Sequence, residues 1–422
     1  MKRYLQFNLA LLVTLQLCTS ILAQQTPEQI VREYFEAFSN SNYASLNEYI
    51  TDDFVMREGD FEICSNRHQF YTVFQWDSVF VPKYEVRSIK TDGEIIKAVI
   101  AKSDKRVDFL HDEPMVSNVQ IKLTDDKIKL LDVTGYAKFD AAKWRGRLNN
   151  VNSWVGKHQP DLNGFARDIT PHGSKNYMKA IQLYSNRKLE KEEKIFIDKD
   201  LQLVHLKDSV FVHITKYRFN GGKPFPSNGL IVAKQGKAIM VDTPVTMEQT
   251  ERLFNYLKDK MNINVTQLIP GHFHIDCMGG IKYMHSQGVN SLANKLTVDK
   301  CLSSGLTVPK ESFENSRELN FNGLPVECRF FGGGHSFDNI TVWLPDSKIL
   351  FGGCMVKNIK AQGMGNLSDA VVKDWDSTVE KVQKAYPDAE IVIPGHGNYG
   401  GQELLSHTYE LVKNYKLKYG IK

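Results

Sequence analysis

At 422 residues, with 42% hydrophobic and 24% charged side chains, the chain has the balance of a globular protein of two or three domains. It is long enough to bury a core without covalent staples. A formal charge of +4 is small for that length and gives no reason to propose a nucleic-acid partner, so none is expected.

The chain opens with basic Lys2 and Arg3, a mostly apolar run from Leu9 to Leu17, and small residues at Ser20 and Ala23. This pattern predicts an export signal over 1–23, cleaved near Ala23. The apolar run is far shorter than the ~20 residues a bilayer span needs. An N-terminal core helix is the bland alternative. No later stretch reads as a span, so the mature chain is expected to be soluble, periplasmic or secreted, and without stable membrane insertion. Loss of Lys2 and Arg3 takes the charge from +4 to +2. Five cysteines remain: Cys64, Cys277, Cys301, Cys328 and Cys354. Disulfides are permitted in that compartment. The odd number leaves at least one thiol unpaired or on a metal, and the pairing of the others stays open.

Composition suggests two halves with a seam near Leu189 to Lys199, a charged segment rather than a flexible linker. The domains expected are therefore 24–190 and 191–422. In the first half, Thr26, Pro27 and Gln29 predict a capped helix with Ile30, Tyr34, Phe35 and Phe38 on one face. Alternating segments follow from Lys83 to Lys138, broken by turns at Asp92-Gly93 and Thr124-Asp125-Asp126. A second helix is predicted over Asn176 to Arg187. A helix followed by a curved antiparallel sheet makes an α+β domain. The run YFEAFSNSNYASLNEYITDDFV, Tyr34 to Val55, resembles the start of the nuclear-transport-factor-2-like, or SnoaL-like, cone fold.

The second half alternates strands and helices. Leu201 to His213 alternates at period two. Leu230–Ala233 and Ala238–Val241 flank a turn at Lys234-Gln235-Gly236. Thr246 can cap a helix bearing Leu253, Leu257 and Met261. The short apolar strands Val265–Ile269, Ile349–Phe351 and Ile391–Ile393 each end in a glycine-containing loop.

Those loops carry the chemistry. His272, His274 and Asp276 sit at alternate positions of HFHID, so an extended loop would aim all three to one side and turn Phe273 and Ile275 back into the protein. Imidazole nitrogens and a carboxylate suit zinc. A polar loop with coincidental histidines is the bland reading. Further ligands are offered by His335 after three glycines, by Cys354 after Gly352-Gly353, and by His396 in Pro394-Gly395-His396-Gly397. Small neighbours let the backbone approach an ion. His205, His213 and His285 read as structural, and the Cys277 side chain is expected to point away from the ligand face.

The motifs HFHID, GGGHSFDNI, FGGCMVKN, GNLSDA and VIPGHG, in this order over about 201–413, resemble the metallo-β-lactamases whose second zinc has a cysteine ligand. The resemblance implies an αβ/βα sandwich. It implies two zinc ions, one on His272, His274 and His335, the other on Asp276, Cys354 and His396. It implies that Lys357 pairs with the substrate carboxylate, that Asn366 hydrogen-bonds the lactam carbonyl, and that Asp242 supports the ligands from behind. A solvated loop is the bland reading for Lys357 and Asn366. In the family a flap covers the substrate where this chain has Arg218 to Pro226, with Gly221 and Gly222 for movement and Phe225 as an apolar contact; a plain hairpin is the alternative.

The function so implied is opening of a β-lactam ring by a zinc-activated hydroxide, with resistance to such antibiotics as the consequence. Asp276 and Asn366 belong to the catalytic apparatus, and no covalent intermediate is needed. The family fold also hydrolyses lactones, thioesters and other substrates. The alternatives are therefore hydrolysis of another cyclic amide, lactone or thioester, or a non-catalytic zinc-binding protein whose N-terminal domain does the recognition. The N-terminal domain could narrow the cleft, bind a second ligand in its interior or mediate a homodimer; a scaffold or dimerisation module is preferred.

Overall fold

The structure, a computed structural model, describes residues 25–218 and 222–422. The expected signal, with Lys2, Arg3 and Ala23, lies outside the described residues, as does Gly221 of the expected flap. Contacts divide the chain into two compact units, 1–139 with 167–175, and 140–166 with 176–422.

The first unit runs α1 (Pro27–Ser39), α2 (Tyr43–Glu48), β1 (Ile50–Glu58), β2 (Phe61–Cys64), α3 (Arg67–Ser78), β3 (Lys83–Asp92), β4 (Ile95–Ser103), α4 (Lys105–Leu110), β5 (Met115–Thr124) and β6 (Lys127–Lys138). α1 begins with the expected capping box: the Thr26 hydroxyl accepts from Gln29 N, and the Gln29 side chain accepts from Thr26 N. Its apolar face packs the rings of Tyr34 and Phe38 against Phe54 and Phe70, with centroids 4.8–6.4 Å apart. These rings are buried and form part of the core of this unit.

The sheet order is β2-β1-β6-β5-β4-β3. The expectation of a curved antiparallel sheet holds for four of the five strand pairs and needs correction at one, because β1 and β6 pair parallel. The chain reaches β6 through α3 and the β3–β6 meander rather than by a hairpin from β1. The direction of β6 is thereby free to match β1. Register breaks in β3–β4, β5–β6 and β1–β6 mark bulges, which bend a sheet locally.

The second part of the chain continues with α5 (Ala141–His158), α6 (Pro171–Ser185), β7 (Lys194–Asp198), β8 (Leu201–Lys207), β9 (Val210–Tyr217), β10 (Phe225–Lys234), β11 (Lys237–Val241), α7 (Met247–Met261), β12 (Asn264–Ile269), α8 (Ile275–Met278), α9 (Ile281–Ser286), β13 (Asn290–Asn294), α10 (Lys295–Ser304) and β14 (Glu311–Phe313). It ends with β15 (Ser316–Phe321), β16 (Leu324–Arg329), β17 (Thr341–Leu344), β18 (Ile349–Gly353), α11 (Val372–Ala385), β19 (Ile391–Pro394) and α12 (Glu403–Tyr419). Segment 189–199, where composition suggested a seam, contains β7, the edge strand of the larger sheet. α5 lies along that strand: Asn150 Nδ2 donates to Lys194 O at 2.7 Å, and Arg147 Nε to Ile197 O at 3.3 Å.

Three apolar cores define the layers of the second unit. Leu253 and Leu257 of α7 and Met284 of α9 pack on Leu203, Ile231, Met240 and Leu268 of an eight-stranded sheet ordered β14 to β7. The other face of that sheet, with Val212, Leu230 and Val241, packs on Val342, Ile349 and Ile393 of a five-stranded sheet ordered β15-β16-β17-β18-β19. Trp375 and Val379 of α11 and Leu404, Leu405 and Val412 of α12 close the outer face of that second sheet. The result is the helix–sheet–sheet–helix sandwich expected for 191–422. The parallel pairs β11–β12 and β18–β19 bring their carboxyl ends to the loops that hold the candidate ligands.

Candidate metal centre

The structure brings all six candidate ligands together. Ligand atoms of His272, His274 and His335 lie within 4.8 Å of one another, and so do those of Asp276, Cys354 and His396. His272 Nε2 stands 2.9 Å from His274 Nδ1. His396 Nε2 lies 3.1 Å from Asp276 Oδ2 and 3.3 Å from Cys354 Sγ. The two donor groups, one all-imidazole and one of imidazole, carboxylate and thiol, fit zinc.

Outer contacts orient three of the four imidazoles. The outer nitrogen of His396, Nδ1, donates to Pro226 O at 2.9 Å, which leaves Nε2 to face Cys354 and Asp276. His274 Nε2 donates to Asp369 Oδ2 at 3.0 Å, which leaves the Nδ1 lone pair facing His272. His272 Nδ1 lies 3.1 Å from Cys277 Sγ. Such partners set the tautomer and aim the ring of a metal-binding histidine. His335 Nδ1 is buried and makes no hydrogen bond among the described residues.

The loop geometry differs from the extended strip expected of HFHID. His274 is the residue before the short helix α8, so Asp276 sits on its first turn. Ile275 consequently projects outward, 55% exposed, and lines the cleft instead of turning inward. Phe273 does face the protein, packed on the core and stacked on Phe337 at 5.7 Å. The loop is held from both sides. Asp242, at φ 59° in the left-handed region, accepts Gly271 N at 2.6 Å, and Asp338 accepts Phe273 N at 2.9 Å and the Thr297 hydroxyl at 2.7 Å. Asp242 thus supports the loop from behind, as expected. The expectation that the Cys277 side chain points away from the ligand face needs correction: its sulfur lies within 4.8 Å of ligand atoms of His272 and Asp276, 3.1 Å from His272 Nδ1, and hydrogen-bonds Cys354.

Burial and charge set the protonation of this cluster. Burial would raise the Asp276 carboxyl, but the hydrogen bond and charge of His396, with His272, hold it below the usual carboxylate range. The hydrogen bond from Cys277, followed by His396, pulls the Cys354 thiol well below its usual value despite burial. Burial pushes His335 down to about 2, which favours a neutral imidazole. All five cysteines among the described residues are free, and Cys354 is available as a thiolate.

A cavity of about 750 Å³ opens beside these groups, lined in part by Phe225, Ile275, Lys357, Asn366 and Asp369. Phe225, 47% exposed at the start of β10, places its ring 4.5 Å from that of His396. The Lys357 ammonium donates to Cys354 O at 3.0 Å and lies 5.0 Å from the centre of the Trp375 ring. Asn366 is exposed, and its Oδ1 accepts Ser368 N at 3.1 Å. His213 and His285 lie outside the ligand groups, bonded to Asp242 O and Ser291 Oγ. His205 likewise bonds two backbone carbonyls, Glu190 O and Asp208 O.

Asp369, Asp338 and Cys277 are the supporting residues that sequence reasoning did not assign. Asp369 and Asp338 stand inside the quoted motifs GNLSDA and GGGHSFDNI, and an acidic residue within such a motif was the available signal.

A family model described as "Metallo-beta-lactamase superfamily" matches residues 222–396. A metallo-beta-lactamase type 2 of Bacteroides fragilis is 42% identical over 224 residues, 53% of this chain and 90% of that protein. One of Pseudomonas aeruginosa is 37% identical over 50% of this chain and 84% of its own length. A solved metallo-beta-lactamase from Pontibacter korlensis is 36% identical, spans 51% of this chain and 99% of its own, and has a TM-score of 0.49. Through its C-terminal half, this chain belongs to the metallo-β-lactamase family.

Proposed function

We propose that the protein is an exported dizinc hydrolase that opens β-lactam rings. The observation that carries this reading is the convergence of six ligand side chains into two groups at the edge of one cavity. Relatives named metallo-beta-lactamase, at 35–42% identity for the first two, support it. The chain is a zinc-dependent β-lactam hydrolase. Its first zinc site is His272, His274 and His335, and its second is Asp276, Cys354 and His396. Export rests on the sequence of residues 1–23. The first unit is assigned to the SnoaL-like class on its helical start and bulged six-stranded sheet, and serves as a scaffold or dimerisation module. The domain division proposed is 24–190 and 191–422.

When bound, zinc supplies Lewis acidity and lowers the pKa of water from about 15.7 towards neutrality. The residues of the chain do the rest. Asp369, Cys277 and Pro226 O hold His274, His272 and His396 in the tautomers that face the centre. Asp276 is an anion in place to ligate and to accept a hydrogen bond. The Lys357 ammonium meets the carboxylate of the substrate as a point charge. The Asn366 amide donates to the lactam carbonyl as charge develops on its oxygen. Phe225 covers an apolar part of the substrate and keeps water from it. Cys354 is a ligand and not a nucleophile, because its sulfur is directed at Asp276 and His396.

Metal analysis of the full chain tests the ligand assignment. Two zinc ions per chain are expected, falling to about one at equal free zinc in Cys354→Ser, since thiolate is the strongest donor of the second group. A native chain that holds one ion or none, or a variant that keeps both with unchanged affinity, contradicts it.

A further inference from the structure

We propose that His407 and Thr408, neighbouring residues of α12, are positioning residues that clamp the Lys357–Ala361 wall of the cavity and so present the Lys357 ammonium to substrate. The inference rests on the reading of Lys357 as the partner of the substrate carboxylate.

Between the end of β18 at Gly353 and the start of α11 at Val372 the chain has no helix or strand. This irregular stretch nevertheless supplies much of the cavity wall, Lys357, Asn358 and Ala361 included. A loop that carries a binding charge loses conformational freedom on binding unless something else already holds it. Two hydrogen bonds from α12 do so. Lys357 N donates to Thr408 Oγ1 at 2.8 Å, and Ala361 O receives His407 Nε2 at 3.0 Å.

The Thr408 side chain has one orientation available. Its hydroxyl is fully buried and donates to Leu404 O at 2.7 Å, so a lone pair is left for Lys357 N. The helix that carries the clamp is itself fixed, because Leu404, Leu405 and Val412 sit in the core beneath the second sheet. The Lys357 side chain is confined in turn by Cys354 O and the face of Trp375. The Trp375 indole is held by its bond to Met355 O at 2.9 Å. Backbone and ammonium of Lys357 are thus set by separate contacts, and only the backbone contact comes from α12.

Thr408→Val keeps the shape and removes the acceptor, leaving the Lys357 N–H without its partner. Thr408→Ser keeps the acceptor. The test is steady-state hydrolysis by the full, zinc-loaded chain of a penicillin bearing its carboxylate and of the same penicillin as its methyl ester. Thr408→Val is expected to raise KM for the acid about tenfold with kcat within about twofold, the signature of lost uniform binding. KM for the ester stays at the wild-type value, zinc content is unchanged, and Thr408→Ser behaves as wild type. In a Lys357→Ala background, Thr408→Val adds nothing further.

An unchanged KM in Thr408→Val, beside a raised KM in Lys357→Ala, overturns the clamp and leaves the lysine reading intact. An unchanged KM in Lys357→Ala overturns both. A Thr408→Val effect equal for acid and ester, or one not rescued by serine, marks Thr408 as a packing residue only. Should Thr408→Val not fold, half-buried His407→Ala carries the same comparison with about a threefold rise in KM expected, and no rise overturns the clamp.

Discussion

His274 illustrates how a candidate ligand is specified one residue at a time. An imidazole has two nitrogens, and a metal takes the one whose lone pair is free. The Asp369 carboxylate accepts a hydrogen bond from Nε2–H, which keeps the proton on that nitrogen and leaves Nδ1 facing His272 Nε2 at 2.9 Å. Asp369→Asn keeps the shape but weakens that constraint, so zinc affinity measured by chelator competition is expected to fall about 10–100-fold. Affinity unchanged in the variant would show that Asp369 does not orient the ligand. The six candidate ligands could be picked out from sequence because each stands in a short motif next to a glycine or one residue from another candidate, and the structure groups their ligand atoms. Their supports were less legible: Asp369 acts on a histidine 95 positions away, and Thr408 on a lysine 51 positions away. No local pattern ties such pairs together before the chain is folded. The orientation of Ile275 was missed for a different reason. The loop was read at period two, whereas α8 starts at that residue and turns it outward.

At the scale of elements, strongly periodic segments were readable and weakly periodic ones were not. Thr26 and Thr246 cap α1 and α7 as their sequences imply, with side-chain oxygens accepting from Gln29 N and Gln249 N. α5 went unread because only Arg147, Val151 and Val155 of its 18 residues are buried, too sparse an apolar stripe to stand out. Strand pairing adds constraints of its own. On β9, His213 lies opposite Gly229 of β10, where a Cβ would come within 2.0 Å of the imidazole. His213 Nε2 donates to Asp242 O at 2.9 Å, and burial pushes its pKa down to about 4. The folded state therefore favours neutral His213, whereas an unfolded histidine titrates near ~6.5. The stability from this group is complete above the unfolded value and is lost as pH falls through 6.5 towards 4, by about 3 kcal/mol in all. Urea unfolding of chelator-treated protein is expected to weaken over that range. His213→Gln, which cannot take up the proton, should decline less steeply; equal slopes for the two proteins would contradict the assignment.

For the whole molecule, the sandwich was legible through the ordered motifs that resemble the metallo-β-lactamases; the short apolar strands ending in glycine-containing loops indicated by themselves only an alternating α/β half. The first unit was legible only in outline. Its β3–β6 hairpins follow from alternation and turn residues, but the parallel β1–β6 pair joins strands about 75 residues apart, a distance over which local pattern carries no direction. Tyr34, Phe38, Phe54 and Phe70 are buried in its core, and the grouped candidate ligands lie in the second unit. The proposed activity is tested most directly by turnover. The full chain, loaded with zinc, is given a penicillin, a cephalosporin and a carbapenem, and ring opening is followed by the loss of β-lactam absorbance. The account predicts hydrolysis that a chelator abolishes, that added zinc restores, and that Cys354→Ser largely loses. No hydrolysis of any of the three, with zinc verified in the protein, would contradict it and direct attention to lactones and thioesters.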